Sequence, residues 1–200
     1  MARKFLLLFC GLWSILAFAQ EGDVKTTDEA VFAGGCFWCM QPPFDKTPGV
    51  LSTTAGYAGG KKPNPTYEEV SAGGTGYIES IKVTYDPSKV TYAQLLDVYW
   101  HNVDPLDPKG QFCDKGDQYV SVIFYGDEPQ KDLAEKSLLQ IQQKLNGQTI
   151  YTQIRPLTTF YPAEEYHQDY SEKNPVHYKM YKIGSGREGY LKRLWGNKKN

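Results

Sequence analysis

Cysteine and histidine are scarce in this 200-residue sequence, which contains four of the first and three of the second. So few cysteines exclude the disulfide framework on which small secreted domains depend. A zinc site would need a histidine beside the cysteines, and His101, His167 and His177 each lack a second ligand at zinc-finger spacing. We therefore expect no metal ion and no bound cofactor.

The chain also lacks an excess of either charge, a long apolar span and any internal repeat. Its 22 basic and 23 acidic side chains give a formal net charge of -1, and the basic cluster at residues 192–199 is short enough to be a solvated terminus. Nothing here indicates a nucleic-acid partner. With 40% hydrophobic and 22% charged residues, the sequence is typical of one globular domain with a substantial core.

Residues 1–19 have the pattern of a cleaved export signal. Arg3 and Lys4 precede an apolar run at residues 5–18, and the small residues at its end suit a signal peptidase. An uncleaved anchor is the alternative, but the run is shorter than the roughly twenty residues that a membrane span needs. We expect the mature chain to begin at Gln20, to be exported to the periplasm or beyond, and to have no membrane contact afterwards.

The mature chain keeps three cysteines, Cys36, Cys39 and Cys113. Three is an odd number, so at least one thiol should be free or reactive. Cys36 and Cys39 form a CxxC pair, which fits a metal half-site, a structural bridge or a redox centre. A bridge across so small a loop would contribute little chain entropy, which argues against a purely structural use.

The residues around Cys36 predict a strand, a sharp turn and a helix. The apolar stretch EAVFA at residues 29–33 runs into Gly34-Gly35, whose backbone can turn tightly and approach a ligand. Cys36 would then lie at the first turn of a helix, where free N–H groups and the helix dipole favour a low-pKa thiolate. Pro42-Pro43 predicts that this helix is short or bent.

The rest of the chain predicts an α+β single domain with a mixed sheet packed on helices and with long functional loops. Repeated glycines and prolines at residues 47–76 indicate a functional loop rather than a linker. The residues from 159 onward are aromatic and also indicate loops. Periodicity predicts strands at 77–85, 119–125 and 148–158, and helices at 90–103 and 127–145.

Glu79 lies on the apolar face of the predicted strand at residues 77–85, together with Ile81 and Val83. A carboxyl group on that face is desolvated, so its pKa should be raised unless a cation pairs with it. A strand end that reaches solvent and a buried salt bridge are the two alternatives.

Several motifs together resemble the peptide methionine sulfoxide reductase type A family. The sequence GGCFW at residues 34–38 is followed by PGV, AGYAGG, NPTY, TGYIE, VTYDP, DQYVS and YHQDY in the family's order, over about residues 29–183. The resemblance implies a catalytic domain at residues 20–200 with a two-layer, ferredoxin-like sandwich. It also implies a monomer that reduces the S epimer of methionine sulfoxide, free or in proteins.

The resemblance assigns roles to individual residues. Cys36 matches the nucleophile whose thiolate attacks the sulfoxide sulfur and becomes a sulfenic acid, and Glu79 matches the acid that protonates the departing oxygen. Tyr67 and Tyr119 match hydrogen-bond donors to that oxygen, and Asp114 matches a carboxylate that organises the pocket. Phe37 and Trp38 match the apolar wall that receives the methyl group.

The resolving cysteine departs from the commonest family pattern. Position 39 is often glycine in relatives but is Cys39 here, and the tail after Gly184 has no cysteine. Cys39 is thus the expected resolver, forming a Cys36–Cys39 disulfide that a thioredoxin-like donor reduces, and Cys113 is the rival. His167 receives no catalytic role.

Two other functions are compatible with CxxC. A general thiol–disulfide oxidoreductase should show its motif near a βαβ pattern with a cis-proline loop, neither of which is evident. A non-catalytic binding module would use the cysteine pair only as a bridge.

Overall fold

The computed structural model describes residues 26–196, so the predicted export signal lies outside the described residues. The strands are β1 (Asp28–Gly34), β2 (Val50–Ala58), β3 (Ile78–Tyr85), β4 (Gly110–Gln111), β5 (Asp114–Lys115), β6 (Ser121–Tyr125), β7 (Gln153–Pro156) and β8 (Phe160–Pro162). The helices are α1 (Phe37–Asp45), α2 (Tyr67–Ser71), α3 (Tyr92–Trp100), α4 (Glu128–Lys144), α5 (Tyr170–Lys173), α6 (Pro175–Gly184) and α7 (Arg187–Trp195).

Six strands form one sheet in the order β7-β6-β1-β3-β2-β8, and β4 pairs with β5 in a separate hairpin. The β6–β7 pair is parallel and the other pairs in the sheet are antiparallel. The predicted single α+β domain with a mixed sheet and packed helices is therefore confirmed. Within residues 26–196, no helix is long and apolar enough to cross a bilayer.

The main core lies between the sheet and helices α1, α3 and α4. Phe32 from β1 stacks on Phe44 of α1 and on Tyr99 of α3, with ring centroids 5.3 Å apart in both pairs. Because side chains alternate along a strand, Glu79 shares this helix-covered face with Ile81 and belongs to the buried part of β3. The fold thus places the Glu79 carboxyl group near the first residue of β3, beside the start of α1.

The strand at residues 77–85 and the helices at 90–103 and 127–145 are confirmed with slightly shorter bounds. Thr91 caps α3 by accepting a hydrogen bond from the Gln94 N–H, and Asp127 caps α4 in the same way through the Gln130 N–H. Helix α1 ends two residues after Pro43 and is short, as the proline pair predicts.

The prediction of an irregular loop at residues 47–76 is wrong, because this segment contains β2 and α2. Strand β2 is held by its neighbours, with Tyr57 paired to Glu79 on β3 and Gly56 paired to Pro162 on β8. A Cβ at Gly56 would lie 2.3 Å from the Tyr161 carbonyl oxygen, so this glycine permits a close strand approach rather than breaking the strand.

The prediction of loops after residue 159 is also wrong, since β8, α5, α6 and α7 form there. Helix α6 begins with Pro175, whose missing N–H costs nothing in the first turn. Helix α7 begins with Arg187, which is only 4% exposed and anchors the helix against the body of the domain.

Candidate active site

A cavity of ≈ 120 Å³ lies where β3 begins, beside the start of α1. The structure gathers there every predicted site residue except Cys39, and it adds one phenol that the sequence did not indicate. The lining residues are Cys36, Phe37, Trp38, Tyr67, Glu79, Asp114, Tyr119 and Tyr181.

Cys36 is the N-cap residue of α1 and is 7% exposed. Burial raises the pKa of its thiol well above the usual value, and the nearby Glu79 and Cys39 raise it further, whereas the Tyr181 hydroxyl, which lies within hydrogen-bond reach, lowers it. The predicted low-pKa thiolate is therefore wrong for the resting site. Desolvation of the thiol beside an acid outweighs the stabilisation that the start of the helix gives to a thiolate. In addition, the Phe37 N–H of the first turn donates to Glu79 instead of to the sulfur.

Glu79 is 2% exposed, and its Oε2 accepts a hydrogen bond of 3.1 Å from the Phe37 N–H. Burial raises the pKa of this carboxyl to about 8; the Phe37 N–H and the Tyr119 hydroxyl partly offset the shift, and Asp114 adds to it. Both alternatives for Glu79 are wrong, since it does not reach solvent and no ion pair within residues 26–196 includes it. It is therefore mostly protonated at neutral pH.

Two phenols face the same cavity from separate elements. Tyr67 begins α2, whose start is fixed by a capping box between Thr66 and Glu69. Tyr119 ends a short 3₁₀ turn just before β6. Burial raises the pKa of Tyr67 to about 12, and burial and the neighbouring Glu79 also raise the pKa of Tyr119. Both hydroxyls therefore stay protonated and can donate hydrogen bonds.

Glu164 supports this arrangement from outside the cavity and was missed in the sequence. Its carboxylate accepts hydrogen bonds of 2.8 Å from the Tyr57 hydroxyl and 2.9 Å from the Tyr67 N–H. One acidic side chain thus ties β2 to the start of α2. Its position just before the YHQDY motif was the only available signal.

Trp38 forms one wall of the cavity and is fixed by other aromatic groups. Its indole N–H donates to Nδ1 of His167 at 3.1 Å, and its ring stacks on Tyr170 with centroids 3.8 Å apart. His167 is 2% exposed and does not line the cavity. It supports the wall through its contacts with Trp38.

Tyr181 is the phenol that the sequence did not indicate. It projects from α6, donates a hydrogen bond of 2.5 Å to Oδ2 of Asp114, and lies within hydrogen-bond reach of the Cys36 thiol. Because the segment that contains it was predicted to be loop, nothing placed its side chain near Cys36. Asp114 and Tyr181 together close the cavity opposite the start of α1.

Tyr181→Phe should make the Cys36 thiolate harder to form, because it removes a hydroxyl group that lowers the pKa of this thiol. We expect alkylation of Cys36 by iodoacetamide at pH 8 to slow by about tenfold, the effect of losing a hydrogen bond worth about 1.4 kcal/mol to a charged sulfur. The assay uses a Cys39→Ser, Cys113→Ser background. Tyr170→Phe is the control, since the Tyr170 hydroxyl bonds His177 instead; equal rates in the two variants would contradict the assignment.

Cys39 lies in the first turn of α1, where its N–H donates to the Cys36 carbonyl oxygen at 3.0 Å. Cys39 is close enough to raise the pKa of the Cys36 thiol, although Cys36 itself is the N-cap residue and lies outside the helical region. Cys113 sits on the exposed turn between β4 and β5, with its Sγ 3.6 Å from Oδ1 of Asp114. All three cysteines are free thiols in this structure.

Within residues 26–196, no cluster of three His, Cys, Asp or Glu side chains is placed to hold a metal.

Paired thiols beside a protonated carboxyl group in a closed pocket indicate redox chemistry at sulfur rather than a structural bridge. The fold and the site therefore define a thiol-dependent oxidoreductase. The family model described as "Peptide methionine sulfoxide reductase" matches residues 28–199. The chain belongs to this family, and its curated relatives identify the type A branch.

One such relative is peptide methionine sulfoxide reductase MsrA of Bacillus licheniformis, which is 49% identical over 170 residues, 84% of this chain and 94% of that protein. Reduced Mxr1 from Saccharomyces cerevisiae is similar in structure, with a TM-score of 0.72 and 33% identity over 77% of this chain and 89% of that chain. Mxr1 in complex with Trx2 shares the fold at a TM-score of 0.53 and 23% identity, over 78% of this chain and 94% of that chain.

Proposed function

We propose that this protein reduces the S epimer of methionine sulfoxide, free or within proteins, to methionine and thereby repairs oxidative damage. Family membership supports the reaction. The observation that carries it is the buried Glu79, whose raised pKa keeps it protonated at neutral pH beside the Cys36 thiol. The choice of the S epimer rests on the family resemblance.

In the first half-reaction, the Cys36 sulfur attacks the sulfoxide sulfur while Glu79 protonates the oxygen. Tyr67 and Tyr119 donate hydrogen bonds to that oxygen as it gains negative charge. The oxygen then transfers to Cys36, methionine leaves, and a sulfenic acid remains. The proton from Glu79 stays on the oxygen of the sulfenic acid, and the proton of the Cys36 thiol restores Glu79, so a thiol at rest suits the proton balance.

The walls of the cavity select the substrate. Phe37 and Trp38 supply the apolar surface for the methyl group on sulfur, and the contacts of Trp38 with His167 and Tyr170 keep that surface fixed. Asp114 organises the polar side through its hydrogen bond from Tyr181.

In the second half-reaction, the Cys39 thiolate attacks the sulfenic sulfur of Cys36, the S–O bond breaks, and the oxygen leaves as water after protonation. A thioredoxin-like donor then reduces the Cys36–Cys39 disulfide. The proximity of the two cysteines on α1 supports Cys39 as the resolver, and Cys113 on the β4–β5 turn remains the rival. The related yeast protein Mxr1 has been solved in complex with Trx2.

We also propose a ferredoxin-like architecture for the domain and a location outside the cytoplasm. The order β1-α1-β2-β3-α3-β6, with β6-β1-β3-β2 adjacent in the sheet, supports a two-layer, ferredoxin-like sandwich. Residues 1–19 form an export signal and residues 20–200 the catalytic domain, which acts as a monomer in the periplasm or beyond. The composition of the first nineteen residues supports export.

The purified protein should convert a peptide with the S epimer of methionine sulfoxide to its methionine form in the presence of dithiothreitol. We expect the S epimer to react at least about 100-fold faster than the R epimer, because a fixed apolar wall and fixed donors accept one arrangement of methyl and oxygen. Liquid chromatography of the peptide measures both rates. Cys36→Ser is the inactive control, and turnover of neither epimer would remove the proposed function.

A further inference from the structure

A second cavity of ≈ 150 Å³ borders Cys39, and we call it the Cys39 cavity. It shares no lining residue with the cavity that holds Cys36. Helices α1, α6 and α7 and the segment after α3 form its walls, with Cys39, Pro43, Asn102, Tyr178, Lys182, Arg187, Glu188 and Leu191 as the lining residues. The two cysteines of the CxxC pair therefore face separate spaces.

Two cations line the Cys39 cavity, and they are held in different ways. Arg187 is 4% exposed and donates hydrogen bonds to the carbonyl oxygens of Gly34 at 2.7 Å and Asn102 at 2.8 Å. Lys182 is partly exposed at the rim, where its Nζ lies 3.6 Å from a carboxylate oxygen of Glu188. The guanidinium is thus a buried positive charge held by two carbonyl oxygens, and the ammonium is a partly exposed one paired with Glu188.

This charge distribution suits a thiolate. Burial raises the pKa of Cys39; Arg187 acts most strongly against that shift, Asp114 adds to it, and Lys182 and Cys113 have smaller effects that lower and raise the pKa respectively. An incoming thiolate would meet the same two cations. The volume accommodates a cysteine side chain on a partner's surface but not a folded element.

We propose that the Cys39 cavity is the entrance for the thiolate of the external dithiol donor, and that the sulfoxide substrate uses the separate cavity at Cys36. This inference deepens the proposed function, because it assumes that a Cys36–Cys39 disulfide must be reduced in each cycle. Its consequence is that substrate and donor do not compete for one opening.

The electron balance of this step is simple. The donor thiolate attacks Sγ of Cys39, the Cys36–Cys39 bond breaks, and the electron pair leaves on Cys36, which takes up a proton. The second donor thiol then attacks the donor sulfur of the mixed disulfide. Cys39 leaves as a thiolate in the cavity that Arg187 and Lys182 also line, and the donor departs as a disulfide.

A trapping experiment identifies the attacked sulfur. The protein is oxidised with one equivalent of hydrogen peroxide, which bypasses methionine sulfoxide, and is then mixed with a thioredoxin whose second active-site cysteine is serine. We expect peptide mass mapping to find the mixed disulfide on Cys39, with Cys36 free to be alkylated. A mixed disulfide on Cys36 or on Cys113 would overturn the proposal.

Charge reversal at the rim tests the entrance itself. Lys182→Glu should lower the second-order rate constant for reduction of the oxidised protein by thioredoxin about tenfold, because a negative charge at the opening repels the thiolate. Lys179→Glu is the matched control, since it makes the same change on α6 at an exposed site outside the cavity. Equal rate constants for the two variants would contradict the entrance.

These outcomes separate the inference from the proposed function. Failure of the wild-type protein to release methionine from the S epimer counts against the proposed function, whereas both tests above begin from peroxide-oxidised protein. The melting temperature of each variant shows that it is folded before its rate constant is compared.

Discussion

Glu79→Gln is expected to slow the release of methionine in a single turnover at pH 7 by about 10²–10⁴-fold, the usual contribution of a general acid. The amide keeps the size and most of the hydrogen bonding of the carboxyl group but has no proton of suitable acidity to give. The Phe37 N–H can still donate to the amide oxygen, so the start of α1 should keep its geometry. Rapid quenching of the enzyme with a sulfoxide peptide, without reductant, measures the rate.

The pH profile gives a sharper test of the same role. Burial raises the pKa of Glu79 to about 8, so the acid is present below that pH and is lost as the pH rises through it. The wild-type rate should therefore fall above about pH 8, whereas Glu79→Gln should lack this fall. Glu135→Gln, a surface change on α4, is the matched control. A Glu79→Gln rate within about threefold of wild type at pH 7 would reject the acid role.

The sequence could predict the parts of the site that depend on local pattern. Strict alternation over β3 placed Glu79 on a buried face, and the glycine pair before Cys36 indicated a turn into a helix. Both hold because a strand's two faces and a helix start are set by neighbours within a few positions. The motif order placed the remaining lining residues in one pocket.

Contacts between distant positions account for what the sequence did not predict. Strand β2 exists because β3 and β8 flank it, although its glycines resemble loop residues. Tyr181 donates a hydrogen bond to Asp114, 67 positions away in the sequence, and Arg187 donates one to the Gly34 carbonyl oxygen, 153 positions away. The pKa of Cys36 follows the same logic, since burial by the whole fold outweighs the local effect of the helix start.

Cys39→Ser should leave one equivalent of methionine released per protein but reduce thioredoxin-supported turnover to below about a hundredth of the wild-type rate, because the sulfenic acid then has no adjacent thiol. Mass spectrometry after addition of dimedone should find the sulfenic acid on Cys36. Cys113→Ser is the matched control and should turn over normally.

The geometry of α1 is the reason to expect this difference. Cys36 is an N-cap residue with φ -51° and ψ 122°, outside the helical region, so its side chain can approach the third helical position, which is Cys39. A disulfide needs Cβ atoms about 3.5–4.5 Å apart, so we expect the cap to adjust when Cys36 and Cys39 join. Cys113 lies instead on the β4–β5 turn beside the Asp114 carboxylate. Burial raises the pKa of the Cys113 thiol, and Asp114 raises it further. An intramolecular disulfide in Cys39→Ser that joins Cys36 to Cys113 would show that the turn moves in to resolve the sulfenic acid.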